Sequence, residues 1–175
     1  MKRRKFLKRA SLTGIGVAVG TSIFANTPSN KLNEFKENSL SNTIENLPIV
    51  ISTWNVPNAT KKAGILLEEG STSIDAIEKG CMIEEADLNN QSVGNGGRPD
   101  RDGHVTLDAC IMDKNGNYGS VVYMQNIVHA IAVARKVMED TPHVILAGKG
   151  AEEFAISKGF EKTNLLTEAS KKAWE

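Results

Sequence analysis

The sequence of 175 residues has little of what usually marks a metal centre. It contains only three histidines, His104, His129 and His143, which lie far apart and show no paired spacing such as His-x-x-x-His. Zinc and similar ions are generally held by closely spaced ligands of that kind. The register of a calcium-binding loop is also absent. We therefore expect no metal site and no cofactor.

The sequence contains only two cysteines, so at most one internal disulfide can form. Cys81 lies on the apolar face of a helical pattern, and Cys110 lies in the strand-like stretch LDACIMD. A disulfide needs two Cβ atoms that approach closely, which the sequence does not show. We favour two buried free thiols, with a bridge as the alternative.

The common motifs of nucleotide binding and nucleophilic catalysis are missing as well. The stretch AGKG, residues 147–150, lies between a strand pattern and a helix pattern, where phosphates often bind. It lacks the spacing of a P-loop, and Glu153 stands where a dinucleotide site needs its third glycine. No Gly-x-Ser-x-Gly motif occurs, and neither cysteine has a basic setting that would lower its pKa. We interpret AGKG as a tight structural turn and find no convincing nucleophile.

The formal net charge is zero, but the basic residues are concentrated at the N-terminus. The first 25 residues hold six Lys or Arg and no acid, which leaves 15 basic against 21 acidic side chains in the remainder. Nucleic acid is therefore not expected as a partner, because phosphates require a basic surface.

Residues 1–25 have the composition of an export signal. The basic stretch KRRKFLKR is followed by residues 12–25, an apolar segment diluted by glycine and, at about 14 residues, too short to cross a bilayer as a helix. The core RRKFLK resembles the twin-arginine type, which carries folded proteins out of the bacterial cytoplasm. We expect this signal over 1–25, a flexible polar tether over 26–46 and a periplasmic location.

After the tether, strand and helix patterns alternate. Residues 49–51 form a short apolar run that predicts a strand covered on both faces. A helix is predicted over residues 61–69, and a second one, capped by Ser71 or Ser73, through about Ala86.

The second half of the chain contains a strong hairpin signal. HVTLDACIMD and YGSVVYM flank KNGN, whose Asn-Gly pair favours a tight turn between two strands. A helix is predicted over residues 130–139, ending at Thr141-Pro142. HVILAGKGAEEFAISKG predicts a short buried strand, a glycine turn and a helix that ends at Gly159, and residues 171–175 are again helical. A hairpin within this mixed pattern predicts the α+β class.

An acidic cluster lies at the end of the second predicted helix. Glu84, Glu85 and Asp87 are close together, and Asp75 and Glu78 lie one to three turns earlier. Several carboxylates can bind a cation. We interpret the cluster instead as the solvated face of a helix.

The stretch GNGGRPDRDGHVTLDA, residues 94–109, is rich in glycine and in charges of alternating sign. Glycine permits positive φ, Pro99 fixes one φ, and Asp102-Gly103 favours a turn into the next strand. We expect an ordered loop with a structural role. The residues that define it are Gly94, Gly96, Gly97, Arg98, Asp100 and Asp102.

Trp54 and Asn55 follow the apolar run 49–51. A large ring with one N–H donor beside a bifunctional amide suits the wall of a polar ligand site. Packing of the tryptophan over the end of a sheet is the alternative.

Three stretches together resemble one family. SVGNGGRPDRDGHVTLDACIMD, with PIVISTWN before it and VARKVMEDTPHVILAGKGAEEFA after it, is similar to the glycosylasparaginases. These belong with plant-type asparaginases and isoaspartyl peptidases to the N-terminal nucleophile hydrolases. The resemblance covers residues 47–175, and GRPDRDG is nearer to the glycosylasparaginases than to their asparaginase relatives.

The resemblance implies an αββα sandwich, formed by a precursor that cleaves itself before a threonine into an α chain and a β chain. The freed threonine attacks the side-chain amide of a glycosylated asparagine, with its own α-amine as the base. An oxyanion hole stabilises the tetrahedral state. The family resemblance also implies a dimer of αβ units.

Residues 47–175 match the α-chain half, so we expect an incomplete sandwich and assign no catalytic residue to this chain. The nucleophile, the substrate clamp and the oxyanion donors are expected beyond Glu175, in the β chain, and the chain by itself is expected to be inactive. Trp54 matches a tryptophan of the family's substrate pocket and Asn55 follows as in relatives, whereas Val56-Pro57 replaces an aromatic-glycine pair. The alternatives are half of an asparaginase or isoaspartyl peptidase, and a non-catalytic secreted binding module.

Overall fold

A computed structural model of the chain describes residues 48–175. The predicted export signal and tether lie outside the described residues. In chain order the elements are α1 (Pro57–Glu68), α2 (Ser73–Ala86), β1 (Leu107–Met112), β2 (Tyr118–Met124), α3 (Ala130–Asp140), β3 (Ile145–Ala147), α4 (Gly148–Ser157) and α5 (Glu168–Trp174). In this part of the chain, no helix has the length and apolarity needed to cross a membrane.

Helices α1 and α2 pack against each other at a point where Gly80 allows a close approach. A Cβ atom at Gly80 would lie 3.0 Å from the carbonyl oxygen of Ala59. Helix α1 begins earlier than predicted because Pro57, whose φ is fixed near the helical value, occupies its first turn. The predicted caps of α2 are wrong by one residue, since it is the side chain of Thr72 that accepts the N–H of Asp75.

The three strands form one sheet in the order β1-β2-β3. The predicted hairpin is confirmed: β1 and β2 are antiparallel, with Met112 beside Tyr118 next to the turn. Within the turn, Asp113 Oδ1 accepts the N–H groups of Asn115 and Asn117 at 2.8 and 2.9 Å. Strand β3 is parallel to β2, and α3 lies between them in the chain as a crossover helix requires. These elements place the fold in the predicted α+β class.

One face of the sheet is covered by α3 and contributes to the hydrophobic core. Leu107, Ile111 and Val121 project from this covered face and are buried, and Ala134 and Val137 of α3 are fully buried against them. The periodicity that predicted α3 is therefore confirmed. Helix α4 adds two buried alanines to the same core.

The opposite face of the sheet, which we call the outer face, carries several side chains that remain exposed among the described residues. Cys110 lies beside Ser120, and Ser120 beside Ile145, so these side chains share one face. Met112 and Ile145 remain 61% and 52% exposed. The side chains of the outer face are Asp108, Cys110, Met112, Tyr118, Ser120, Val122, Ile145 and Ala147.

Three predictions about burial and strands are wrong. Residues 49–51 form no strand, and Ile49 and Ile51 are 71% and 85% exposed, because no described strand pairs with them. Strand β3 exists but is not buried, because it lies at the edge of the sheet with its outer face open. Both cysteines are free as favoured, but Cys110 is exposed on the outer face and only Cys81 is partly buried.

Candidate functional site

A cleft of about 620 Å³ opens beside the irregular segment 52–56. Five of its eight lining residues are polar, and one contributes a large aromatic ring. The lining residues are Ser52, Trp54, Asn55, Val56, Glu84, Asn90, Ser92 and Val93. The structure thus brings together the two predicted substrate-binding residues, Trp54 and Asn55, and leaves Trp54 79% exposed. Their role as ligands of a substrate stays a prediction.

The other wall of the cleft was not found from the sequence. Glu84 Oε2 accepts the side-chain N–H of Asn90 at 3.0 Å. Asn90 Oδ1 in turn accepts the backbone N–H of Ser92 at 3.0 Å and also its hydroxyl group. The sequence carried one weak signal, a run of polar residues between a helix end and a glycine loop. These bonds hold a carboxylate, an amide and a hydroxyl group in fixed positions at the surface of the cleft.

Three of the five members of the acidic cluster are bonded within the protein, and the interpretation as a solvated helix face is wrong for Glu78 and Glu85, whereas Asp75 is ion-paired but 42% exposed. Arg135 Nη1 donates to Asp75 Oδ1 at 2.6 Å and to Glu78 Oε2 at 2.9 Å, which ties α2 to α3. The hydrogen bond from the Thr72 hydroxyl and the one from Arg135 hold the pKa of Asp75 below its ordinary value. The third member, Glu85, is buried.

Glu85 is bonded to the N-terminus of α3. Its Oε1 accepts the backbone N–H of Ile131 at 2.9 Å, and its Oε2 lies 3.2 Å from Nδ1 of His129. The backbone carbonyl of Glu85 accepts the N–H of Asn95 at 2.7 Å. Among the described residues, no group of three or more His, Cys, Asp or Glu side chains is arranged to hold a metal ion.

The glycine-rich loop begins directly against α2. Gly94 has φ +68°, and a methyl group there would overlap the backbone of Glu85, so this position requires glycine. The N–H of Gly96 donates to the carbonyl of Leu165 at 2.8 Å. Gly97 is buried and donates its N–H to the carbonyl of Gly94 at 3.1 Å. The first part of the loop is thus anchored on both sides.

The second part of the loop is organised by Asp100. Its Oδ1 accepts the N–H groups of Asp102 and His104, both at 2.9 Å. The bond from His104, followed by that from Asp102, lowers the pKa of Asp100. The Nε of Arg98 donates to Oε1 of Gln91 at 3.4 Å, and not to one of the carboxylates of the loop. The loop is ordered, and its supporting role for a catalytic site stays a prediction.

The described residues contain no pair of a nucleophile and a base. Those Ser and Thr hydroxyl groups that form hydrogen bonds do so with carboxylates, amides, backbone groups or each other, and none of them bonds to the side chain of a histidine or lysine. Burial, reinforced by the charges of Glu85 and Glu84, raises the pKa of the Cys81 thiol, which makes it a weak nucleophile. The cleft therefore offers hydrogen-bonding groups for a polar ligand and, among the described residues, no activated nucleophile.

A family model described as Asparaginase matches residues 35–175 of the chain. The match covers most of the sequence, so the chain belongs to this family, and the resemblance carried by the three stretches is confirmed.

Three curated relatives show what the chain is similar to within the family. It is 47% identical over 178 residues to the N(4)-(beta-N-acetylglucosaminyl)-L-asparaginase of Elizabethkingia miricola, an alignment that covers 99% of this chain and 48% of the relative. It is 44% identical over 126 residues to the protein of the same name from Rattus norvegicus, covering 71% of this chain and 36% of the relative. The Mus musculus protein of that name gives 43% over 126 residues, with the same coverage of 71% and 36%. The chain spans about half, or less, of the length of these relatives.

Proposed function

We propose that this chain is part of an amidohydrolase precursor that cleaves the N4-(β-N-acetylglucosaminyl)-L-asparagine linkage. One observation carries the proposal: 47% identity across 99% of the chain to a relative whose name states that activity. The cleft is consistent with it, because it offers hydrogen-bonding groups of the kind that an amide and a sugar require, beside an aromatic wall.

In this proposal the cleft binds the substrate and the β-chain part supplies the nucleophile. Trp54, Asn55 and the polar wall bind and orient the substrate, whose scissile carbonyl is then attacked by a threonine supplied from the β-chain part of the same precursor. The free α-amine of that threonine takes up the proton of its hydroxyl group. Oxyanion donors from the β-chain part stabilise the tetrahedral state. Its collapse breaks the carbon–nitrogen bond and expels the amino sugar, which takes the proton held by the α-amine, and water then hydrolyses the acyl-enzyme and releases aspartate.

The outer face of the sheet supports a second part of the proposal, an αββα sandwich completed by the β chain. This face carries Met112, Tyr118 and Ile145, which are 61%, 46% and 52% exposed. Several large apolar side chains exposed on one face of a sheet often mark an interaction surface. Two sheets that pack face to face bury such side chains in a layer about 10 Å thick. We propose that a sheet of the β chain packs on the outer face and that two αβ units form the dimer.

The basic N-terminal segment carries the proposal about location. Six Lys or Arg precede a short apolar stretch within the first 25 residues. We propose that this segment directs export of the folded protein to the periplasm by the twin-arginine route. Fusion of residues 1–46 to a reporter that is active only after folded export tests it, with Arg3 and Arg4 both changed to Lys as the control.

The test of the activity uses the complete product of the gene, expressed beside the 175-residue chain. We expect the complete product to split into two chains before a threonine and to release the amino sugar from glycosylated asparagine. The 175-residue chain is expected to be inactive, and turnover by that chain would overturn the proposed division of labour. Free asparagine and a β-aspartyl dipeptide are assayed in parallel. Faster cleavage of either would instead place the protein with the asparaginases or isoaspartyl peptidases.

A further inference from the structure

Glu85 is a buried acid that the proposed function does not use. Its residue is 4% exposed, and within the described part of the chain no Lys or Arg pairs with it. A buried carboxylate is costly unless hydrogen bonds compensate for the water it has lost. Glu85 has two such bonds, one with Nδ1 of His129 and one from the N–H of Ile131.

The first consequence concerns the start of α3. The first N–H groups of a helix have no partner within the helix and usually bond to a capping side chain. The N-cap residue of α3, His129, makes no such bond. Glu85 supplies the missing acceptor from another helix, through Ile131 N–H at 2.9 Å. Its negative charge also complements the positive end of the helix dipole.

The second consequence concerns the glycine-rich loop. Gly94 lies so close to the backbone of Glu85 that no side chain fits between them. The N–H of Asn95 donates to the Glu85 carbonyl at 2.7 Å. The loop therefore rests directly on the last turn of α2, and any shift of that turn moves the loop.

The same turn carries one wall of the cleft. Glu84, the neighbour of Glu85, lines the cleft and holds Asn90, which in turn holds Ser92. The Glu85 carboxylate thus fixes the last turn of α2 to α3. The neighbouring residue in that turn, Glu84, forms part of the cleft wall.

We propose that Glu85 is a positioning residue for the candidate active site. Its carboxylate clamps the last turn of α2 to the N-terminus of α3 and so fixes Glu84, Asn90 and Ser92 relative to the segment that holds Trp54. The proposal rests on the proposed amidohydrolase activity for its kinetic consequence. A misplacement of about 1 Å in a substrate-orienting wall can cost on the order of 100-fold in rate.

The chain offers a matched control in Arg135. This residue also ties α2 to α3, but through Asp75 and Glu78, which lie toward the other end of α2. Asp75 is about 15 Å from Glu85 along the helix axis. Neither Arg135 nor its partners line the cleft. Arg135→Gln therefore loosens the same helix pair at a distance from the site.

The experiment compares Glu85→Ala with Arg135→Gln in the complete gene product, each assayed equally far below its own Tm. We expect Glu85→Ala to lower kcat/KM for glycosylated asparagine by at least about tenfold. Hydrogen exchange of residues 90–97 should be faster in this variant. Arg135→Gln should stay within about threefold of the wild type and leave that exchange unchanged. Equal losses of kcat/KM in the two variants would overturn the proposal.

Two conservative variants keep the test decisive if Glu85→Ala does not fold. Glu85→Gln retains an oxygen for Ile131 N–H and should recover most of kcat/KM. Glu85→Asp keeps the charge but draws both oxygens back by one methylene, so it should lose activity and protection of residues 90–97. A Glu85→Asp variant identical to the wild type in both readouts would also overturn the proposal.

Failure of the proposed function gives a different result. If the wild-type product does not hydrolyse glycosylated asparagine, the activity is wrong, and hydrogen exchange alone decides whether Glu85 fixes the wall. If the wild type is active but residues 90–97 exchange equally in all variants, only the role of Glu85 is wrong.

Discussion

The two faces of the three-stranded sheet consist of alternate residues of the same strands, yet their surroundings differ. On the covered face, Val121 is fully buried and Ile111 is 3% exposed under α3. On the outer face, Met112 and Ile145 are more than half exposed, although they are as apolar as their neighbours. Alternation along a strand normally places polar side chains on a face that meets water.

The two faces also differ in how much of their packing the 175-residue chain supplies. The covered face and α3 are close along the chain, and their side chains supply most of the buried hydrophobic cluster of the described residues. The outer face carries several exposed apolar side chains, among them Met112, Tyr118 and Ile145. Substitutions on the covered face should therefore change the stability of the 175-residue chain, whereas those on the outer face should change its association with a partner.

The largest effect is expected on the covered face, from Gly119→Val. Gly119 is buried, and any side chain there would overlap the carbonyl oxygen of Ala134 in α3. The helix would have to move away from the sheet, at a cost of roughly 3 kcal/mol or more in the free energy of unfolding. Urea denaturation followed by circular dichroism measures this. Ser120→Val, the next residue but on the outer face, is the control and should stay within about 0.5 kcal/mol. Equal losses in the two variants would show that the faces do not differ.

The next effect is expected on the outer face, from Met112→Lys and Ile145→Lys. Both side chains are exposed in the chain, so the free energy of unfolding of the 175-residue chain should change by less than about 0.5 kcal/mol. If the proposed second sheet packs on the outer face, each lysine is buried there without a partner, which costs about 3 kcal/mol or more. We expect loss of αβ assembly on size exclusion and loss of amidohydrolase activity. Lys149→Glu, at an exposed site on α4, is the control. Normal assembly of both lysine variants would contradict the proposal that a second sheet packs on the outer face.

A smaller effect distinguishes the two cysteines. Cys110 is exposed on the outer face, whereas burial, with the charges of Glu85 and Glu84, raises the pKa of the Cys81 thiol. Because the thiolate is the reactive form, iodoacetamide at pH 8 should modify Cys110 several times faster than Cys81 in the 175-residue chain. In the complete product Cys110 should become protected. Peptide mass spectrometry measures both rates, and fast labelling of Cys110 in the complete product would contradict a covered outer face.

The sequence predicted the helices and strands that are determined by residues close together in the chain. The hairpin follows from Asn115-Gly116 between alternating strands, and α3 follows from its apolar periodicity and from Thr141-Pro142 at its end. The run 49–51 was predicted as a strand from composition, but a strand also requires a partner, and none lies beside it among residues 48–175.

The candidate site was predicted only in part for a similar reason. Trp54 and Asn55 stood out by their chemistry. Glu84 and Ser92 did not, because they reach the cleft only through the packing of α2 against the glycine-rich loop. The burial of Glu85 depends on a bond to Ile131, 46 positions away in the chain. Charge patterns along one helix cannot reveal such a bond.

The smallest effect concerns stability in acid, to which Asp75, at the contact between α2 and α3, should contribute. The hydrogen bonds from Thr72 and Arg135 lower the pKa of Asp75 below its ordinary value of 3.8. A carboxyl group with a lowered folded-state pKa contributes stability that is present above the ordinary value and is lost as the pH falls through the folded-state value. We therefore expect the free energy of unfolding to decline below about pH 4. Since the Asp75 side chain is 42% exposed, solvent screening limits its share to about 0.5 kcal/mol.

Asp75→Asn should flatten the decline by that amount, while Glu153→Gln, which removes an exposed partner of Lys149, should leave it unchanged. Equal slopes for the wild type and Asp75→Asn between pH 5 and 2 would show that the acid sensitivity arises elsewhere.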